Sequence, residues 1–158
     1  MKVSAIKQFF CDVEWGELDY LIIDSPPGTG DEPLTVAQFL KDKANALIVT
    51  TPQEVSISDV RKSLSFASGL GFKNLGIVVN MSHFVCPKCG EKSYIFKQGG
   101  IAKMAEDHNT EILGEIPIEP LVSECGDEGR FFVNVYGKTP AGIEFEKVGE
   151  KIFKKLAE

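Results

Sequence analysis

Apolar positions along this chain form two kinds of pattern. Short continuous runs occur at Leu18-Asp19-Tyr20-Leu21-Ile22-Ile23-Asp24, Ala46-Leu47-Ile48-Val49-Thr50-Thr51, Leu75-Gly76-Ile77-Val78-Val79-Asn80 and Glu111-Ile112-Leu113-Gly114-Glu115-Ile116. Between and around them apolar residues recur at helical spacing: Val3, Ile6, Phe9, Phe10 and Val13 in residues 2–13, then residues 33–41, then Val55, Val60, Leu64 and Ala67 in residues 54–70. Further helices are predicted over 99–108 and from Pro140 onward, where Phe145, Val148, Ile152, Phe153 and Leu156 share a face. Strands that are apolar throughout, interleaved with helices, predict a parallel sheet covered by helices on both faces. Four strands are expected in it, at residues 19–24, 46–51, 75–80 and 112–116. Residues 81–98 have no period and form a loop inserted after the Asn80 strand, within a single domain spanning residues 1–158.

The bulk composition narrows the class. A chain of 158 residues, 43% hydrophobic and 25% charged, has the make-up of an ordinary globular domain. Its net charge of −6 argues against non-specific binding to nucleic acid or to an anionic membrane. The apolar runs are strand-length, and Met1-Lys2-Val3-Ser4 lacks the apolar core of a signal peptide. Four cysteines, two of them solitary, do not make a secreted disulfide framework, so a cytoplasmic location is expected.

Those cysteines carry the first candidate chemistry. Cys86-Pro87-Lys88-Cys89-Gly90 is a C-x-x-C pair inside the non-periodic loop. Zinc and iron–sulfur sites generally take four protein ligands, and there is no second C-x-x-C. Three readings follow: a two-fold dimer pooling two pairs, a mixed site using a nearby histidine, or a redox dithiol. His83 stands three residues before Cys86, and His108 is more remote; both read as ordinary surface histidines. Cys11, beside Phe9 and Phe10, reads as a small buried hydrophobe. Cys125 lies beside Gly126 and Asp127 with no ligand spacing.

The second candidate is the loop Asp24-Ser25-Pro26-Pro27-Gly28-Thr29-Gly30-Asp31, placed at the carboxyl end of a predicted strand, where open α/β sheets bind ligands. A carboxylate there can hold hydrated Mg²⁺, and a glycine lets a backbone N–H approach a terminal phosphate. Those are the tasks of a Walker B aspartate and a switch glycine. The same prolines and glycines also suit a plain turn.

Asp19 to Asp31 resembles the Mrp/ApbC family of iron–sulfur cluster carriers, relatives of MinD among the deviant P-loop ATPases. The resemblance continues through Thr50-Thr51-Pro52-Gln53-Glu54-Val55, Gly76-Ile77-Val78-Val79-Asn80-Met81-Ser82 and Cys86-Pro87-Lys88-Cys89-Gly90. It extends to Gly114-Glu115-Ile116-Pro117-Ile118-Glu119-Pro120 and Glu124-Cys125-Gly126-Asp127-Glu128-Gly129. It implies a P-loop NTPase-like fold of the MinD/Mrp type. It also implies a homodimer holding a bridging [4Fe–4S] cluster through Cys86 and Cys89 of each chain, and transfer of that cluster to apoproteins. ATP and Mg²⁺ belong to the same resemblance: Asp24 would hold Mg²⁺ through water, Gly28 would meet the γ-phosphate, Asn80 would contact adenine, and Pro117, Ile118 and Glu119 would line the base. Asp59 and Arg61 lie in a region that in the family helps carry nucleotide state to the dimer interface.

The sequence departs from that pattern in one large respect. No G-x-x-x-x-G-K-[ST] occurs in it, so the family's first strand and P-loop are expected to be missing and the chain to correspond to a C-terminal portion. Smaller departures are Lys97, where the family usually has glycine, Ser25 and Cys125. A P-loop supplies most of the N–H groups and the lysine that neutralise a triphosphate. ATP hydrolysis is therefore expected of the full-length family, and little of it from this chain alone. A catalytically silent zinc-knuckle interaction module remains the alternative, with zinc as the metal.

Overall fold

The structure, a computed structural model, describes residues 2–26, 28–40, 43–96 and 100–157. Pro27 and Lys97, singled out above, and the last residues of the 81–98 loop lie outside the described residues. The elements run α1 (Lys2–Cys11), α2 (Asp31–Leu40), β1 (Asn45–Thr50), α3 (Glu54–Gly69), β2 (Lys73–Val79), β3 (Phe84–Val85), β4 (Lys92–Ser93), α4 (Gly100–Asp107), β5 (Ile112–Glu115), α5 (Pro120–Asp127), α6 (Phe132–Tyr136) and α7 (Pro140–Ala157).

Strands β1, β2 and β5 form a parallel sheet in the order β1-β2-β5, and β3 and β4 make a separate antiparallel pair. Central β2 is buried on both faces, as its unbroken apolar run requires. Ile77 and Val79 enter one core with Ile57, Val60 and Leu64 of α3 and Ile101, Met104 and Ala105 of α4. Val78 enters the other with Leu113, Ile116, Cys125, Phe132, Ala141 and Val148 from β5 and α5–α7. Ile77, Met104 and Leu113 are fully excluded from solvent; each such side chain stabilises the fold by roughly 1.5–3 kcal/mol. Helices thus cover both faces.

Several close approaches fix this packing. Gly76 has φ +143°, and a Cβ there would stand 2.6 Å from Leu113 Cγ, so the irregular register between β1 and β2 needs glycine. Lys151 of α7 donates to the Leu113 carbonyl at 2.6 Å, and Lys155 pairs with Glu111 at 2.9 Å. Both tie α7 along β5.

The expected first strand does not form. Residues 18–24 run outside the sheet in irregular, exposed backbone, with Ile22 93% exposed and Leu18, Tyr20 and Leu21 also open to solvent. An apolar run becomes a strand only where a neighbour supplies ladder partners and covers its faces. Among the described residues no strand flanks this segment. Its one described ring contact is the edge-on meeting of Tyr20 with Phe153 of α7, 5.2 Å between centroids. The outer edge of β1 is likewise unpaired among the described residues, and Leu47 and Val49 on it are exposed. Between β5 and α7 the chain forms two further helices, α5 and α6, that no pattern above marked; α5 opens with Pro120 at its first turn and Glu119 as N-cap.

Candidate metal and nucleotide site

The cysteine pair sits at the tip of the β3–β4 hairpin, where Phe84 pairs with Ser93 and Val85 with Lys92. The Cys86 N–H donates to the Glu91 carbonyl at 2.9 Å, and the Gly90 N–H donates to the Cys86 carbonyl at 2.8 Å. This closes a tight turn in which Gly90 takes φ +72°, the left-handed region that favours glycine. The turn aims backbone N–H groups at sulfur. Hydrogen bonds from the Cys89 and then the Lys88 backbone hold the Cys86 thiol below its ordinary range, helped by the Cys89 side chain and opposed only by slight desolvation. Cys86 is half-buried and Cys89 exposed, so both sulfurs can be reached.

Among the described residues no group of three or more His, Cys, Asp or Glu side chains could hold a metal ion. One chain therefore offers two of the four ligands that a closed tetrahedral site or a cubane takes. His83 does not supply a third, and it is not the surface residue that its spacing suggests. It is 6% exposed, and its Nδ1 lies 2.7 Å from Ser82 Oγ. Burial, then Lys92, push its pKa down, while Glu115 and Glu144 pull it up. His108 follows α4, its N–H donating to the Met104 carbonyl. Cys125 is buried in the core with Val78 and Leu113. Cys11 is exposed rather than buried, because α1 packs mainly against α2, through Phe10 stacked on Phe39 at 5.8 Å.

At the carboxyl edge of the sheet the chain is laced together. Asn80 N–H donates to the Thr50 carbonyl at 2.7 Å, Ile116 N–H to Val79 at 2.8 Å, Ser82 N–H to Ile116 at 3.0 Å and Ile118 N–H to His83 at 2.7 Å. These bonds bring Asn80, the Pro117–Glu119 segment and the base of the cysteine hairpin to one edge. The groups there are already engaged: Asn80 Oδ1 accepts from the Met81 N–H at 2.9 Å, and Glu119 Oε1 accepts from Leu121 at the start of α5.

Asp24 and Gly28 belong to another loop. Asp24 belongs to the exposed stretch, and Gly28 has φ +98° with open space around it. Thr29, next along, lines an open cleft of about 550 Å³ with Arg61, Lys62, Ser65 and Phe66 of α3. Arg61 lies roughly two turns down that helix from the sheet edge. Asn80, Pro117, Ile118 and Glu119 thus lie together, whereas Asp24 and Gly28 lie on a separate loop. The contact of Tyr94 with the His83 ring, and the burial that pairs Ser82 with His83, come only with the tertiary fold.

A parallel sheet with helices on both faces, with Asn80, Pro117 and the hairpin base at its carboxyl edge, makes this an open α/β domain. Solved structures agree. A nucleotide-binding protein from Archaeoglobus fulgidus, described as a complex with ADP and with cobalt found in it, is 43% identical with a TM-score of 0.74; the match covers 90% of this chain and 57% of that one. MinD from Pyrococcus furiosus shares the fold at 21% identity and a TM-score of 0.67, over 97% of this chain and 57% of that one. The chain belongs to the ParA family, described as NUBPL iron-transfer P-loop NTPase, whose model matches residues 1–153. Proteins named iron–sulfur cluster carrier protein from Saccharolobus solfataricus and Methanocaldococcus jannaschii are each 49% identical over 98% of this chain, covering 52% and 53% of their own lengths. The chain spans about half the length of the curated relatives it matches.

Proposed function

We propose that this chain is the cluster-bearing portion of an iron–sulfur cluster carrier. The observation that carries the reading is the hairpin turn itself: two accessible cysteines, one with backbone N–H groups directed at its sulfur, at the tip of a short antiparallel hairpin. Two such chains related by a two-fold axis supply four thiolates and hold one [4Fe–4S] cluster as cargo between them. Met81, Tyr94 and Ile95 expose apolar surface beside the turn, which suits a homodimer face. An apoprotein takes the cluster by exchanging its own thiolates for Cys86 and Cys89, one ligand at a time. The work is cytoplasmic in this reading, and no helix among the described residues is long and apolar enough to cross a membrane.

Nucleotide chemistry belongs, in the same proposal, to the family-length protein. There Asp24 holds Mg²⁺ through water, Gly28 meets the γ-phosphate, and Asn80 with Pro117, Ile118 and Glu119 lines the adenine side. This chain alone binds Mg-ATP weakly and hydrolyses it negligibly; a micromolar dissociation constant, about −8 kcal/mol, would contradict that.

Anaerobic reconstitution with iron and sulfide tests the central claim. It should give a brown dimer with about four irons per pair of chains, as one bridging cubane requires. Cys86→Ser and Cys89→Ser should each abolish it, while Cys11→Ser and Cys125→Ser should leave it intact. Stoichiometric zinc with no capacity for a cluster would instead establish the zinc-knuckle module.

A further inference from the structure

Ser82 and His83 are the buried polar residues between the central strand and the cysteine hairpin, 2% and 6% exposed. A buried polar group is costly unless each of its protons and lone pairs is accounted for. Ser82 Oγ has one proton, and the Ile116 carbonyl lies 3.1 Å away to accept it. Its 2.7 Å contact with His83 Nδ1 admits either donor; with the Oγ proton on the carbonyl, the histidine Nδ1–H donates and Oγ accepts. The arrangement Nδ1–H to Oγ–H to carbonyl would use each proton of the pair, and burial favours the neutral ring.

The same residue meets three other parts of the site. Its backbone leads into β3, the outgoing leg of the hairpin. Its ring lies 5.7 Å from that of Tyr94, tilted by 50°, directly after the returning leg β4. Its carbonyl accepts the Ile118 N–H at 2.7 Å, and the next residue, Phe84, bridges Ile118 in parallel.

We propose that His83, as its Nδ1–H tautomer, is a positioning residue for the Cys86/Cys89 pair, clamping both legs of the hairpin to the Ile116–Ile118 segment. A displacement of Pro117 and Ile118 is thereby passed to the base of the hairpin through one short hydrogen bond rather than through solvent-exposed loop. The inference rests on the reading of Cys86 and Cys89 as metal ligands and holds for whichever metal they take.

The test uses the full chain, first without metal. Imidazole ¹⁵N spectra at neutral pH should show His83 protonated at Nδ1 and bare at Nε2. His83→Leu fills the space without a donor; amide exchange at Cys86, Gly90 and Ile118 should quicken about tenfold, the effect of one buried hydrogen bond. His83→Asn, whose amide N–H falls near the Nδ1 position, should return exchange most of the way to wild type. With Co²⁺ alone bound, release to a chelator should follow the same order. An Nε2–H tautomer, wild-type exchange and release in His83→Leu, or His83→Asn behaving like His83→Leu would each overturn the proposal. Failure of the cluster reading shows separately, in the wild-type protein, as cobalt or zinc uptake without cluster uptake.

Discussion

Val148 of α7 occupies the space in which any side chain at Gly114 of β5 would have to stand: a Cβ built on Gly114 overlaps Val148 Cγ2 and comes within 2.9 Å of Glu144 Oε1. Glycine is required there by the neighbour, not by the backbone. Gly114→Ala should lower stability by about 1–3 kcal/mol, the usual cost of overpacking a filled core. Adding Val148→Ala should recover part of that loss, so a double-mutant cycle in urea should show strong coupling between the two sites. Additive effects would mean that α7 shifts freely along β5.

The Cys86 thiol titrates below its ordinary range because the turn's N–H groups stabilise the thiolate. In metal-free protein its alkylation rate should rise with pH at lower pH than that of a free thiol in solution, and Cys125, buried in the core, should react only on unfolding. The sign for stability follows. A thiol with a depressed folded-state pKa favours the fold above its unfolded pKa, and that contribution disappears as pH falls through the folded value. A pH profile for Cys86 identical to that of a free thiol would show that the turn does not form in solution.

Glu111 is held below the ordinary carboxylate range, chiefly by its hydrogen bond from Lys155 and then by the charges of Lys155, Lys151 and Lys154. Its contribution is present above the unfolded carboxylate pKa and lost as pH falls through the depressed folded value. The pair is partly solvated, so screening limits it to under about 1 kcal/mol. Glu111→Gln should lower the melting temperature slightly at neutral pH and leave it unchanged in strong acid; an equal loss at both would assign the effect to packing.

Ile22 is the most exposed large hydrophobic residue described. Ile22→Lys should change stability by no more than about 0.5 kcal/mol, as at other open surface positions. It should also reduce self-association, since an exposed apolar stretch is an aggregation hazard. A large destabilisation would mean that residues 18–24 are a buried strand after all.

That segment also shows where reading the sequence reaches its limit. Residues 18–24 and 75–80 have the same continuous apolar pattern, yet only the second is a buried strand. Such a pattern states what a strand needs on either side; it does not say whether the neighbours exist. β2 has β1, β5 and two helix layers around it, while residues 18–24 have none of these among the described residues. Helices α3 and α7 were legible because their periodicity is local and their ends carry glycine and proline. His83 and Cys11 were misplaced for a common reason. Their burial is decided by segments distant in sequence: Ile116–Ile118 and Tyr94 cover one, and nothing described covers the other. The cysteine turn was the most legible part of the site, since two thiols and a left-handed glycine lie within five consecutive residues.

Ile77 and Val79 of β2 complete one core and Val78 the other, so a slip of one residue would send each side chain into a space already filled. Neither layer of helices can detach while the other keeps its strand in place. The two layers should therefore melt as one calorimetric unit, with equal van't Hoff and calorimetric enthalpies. Any change that loosens α7 should be felt by α3 across the sheet.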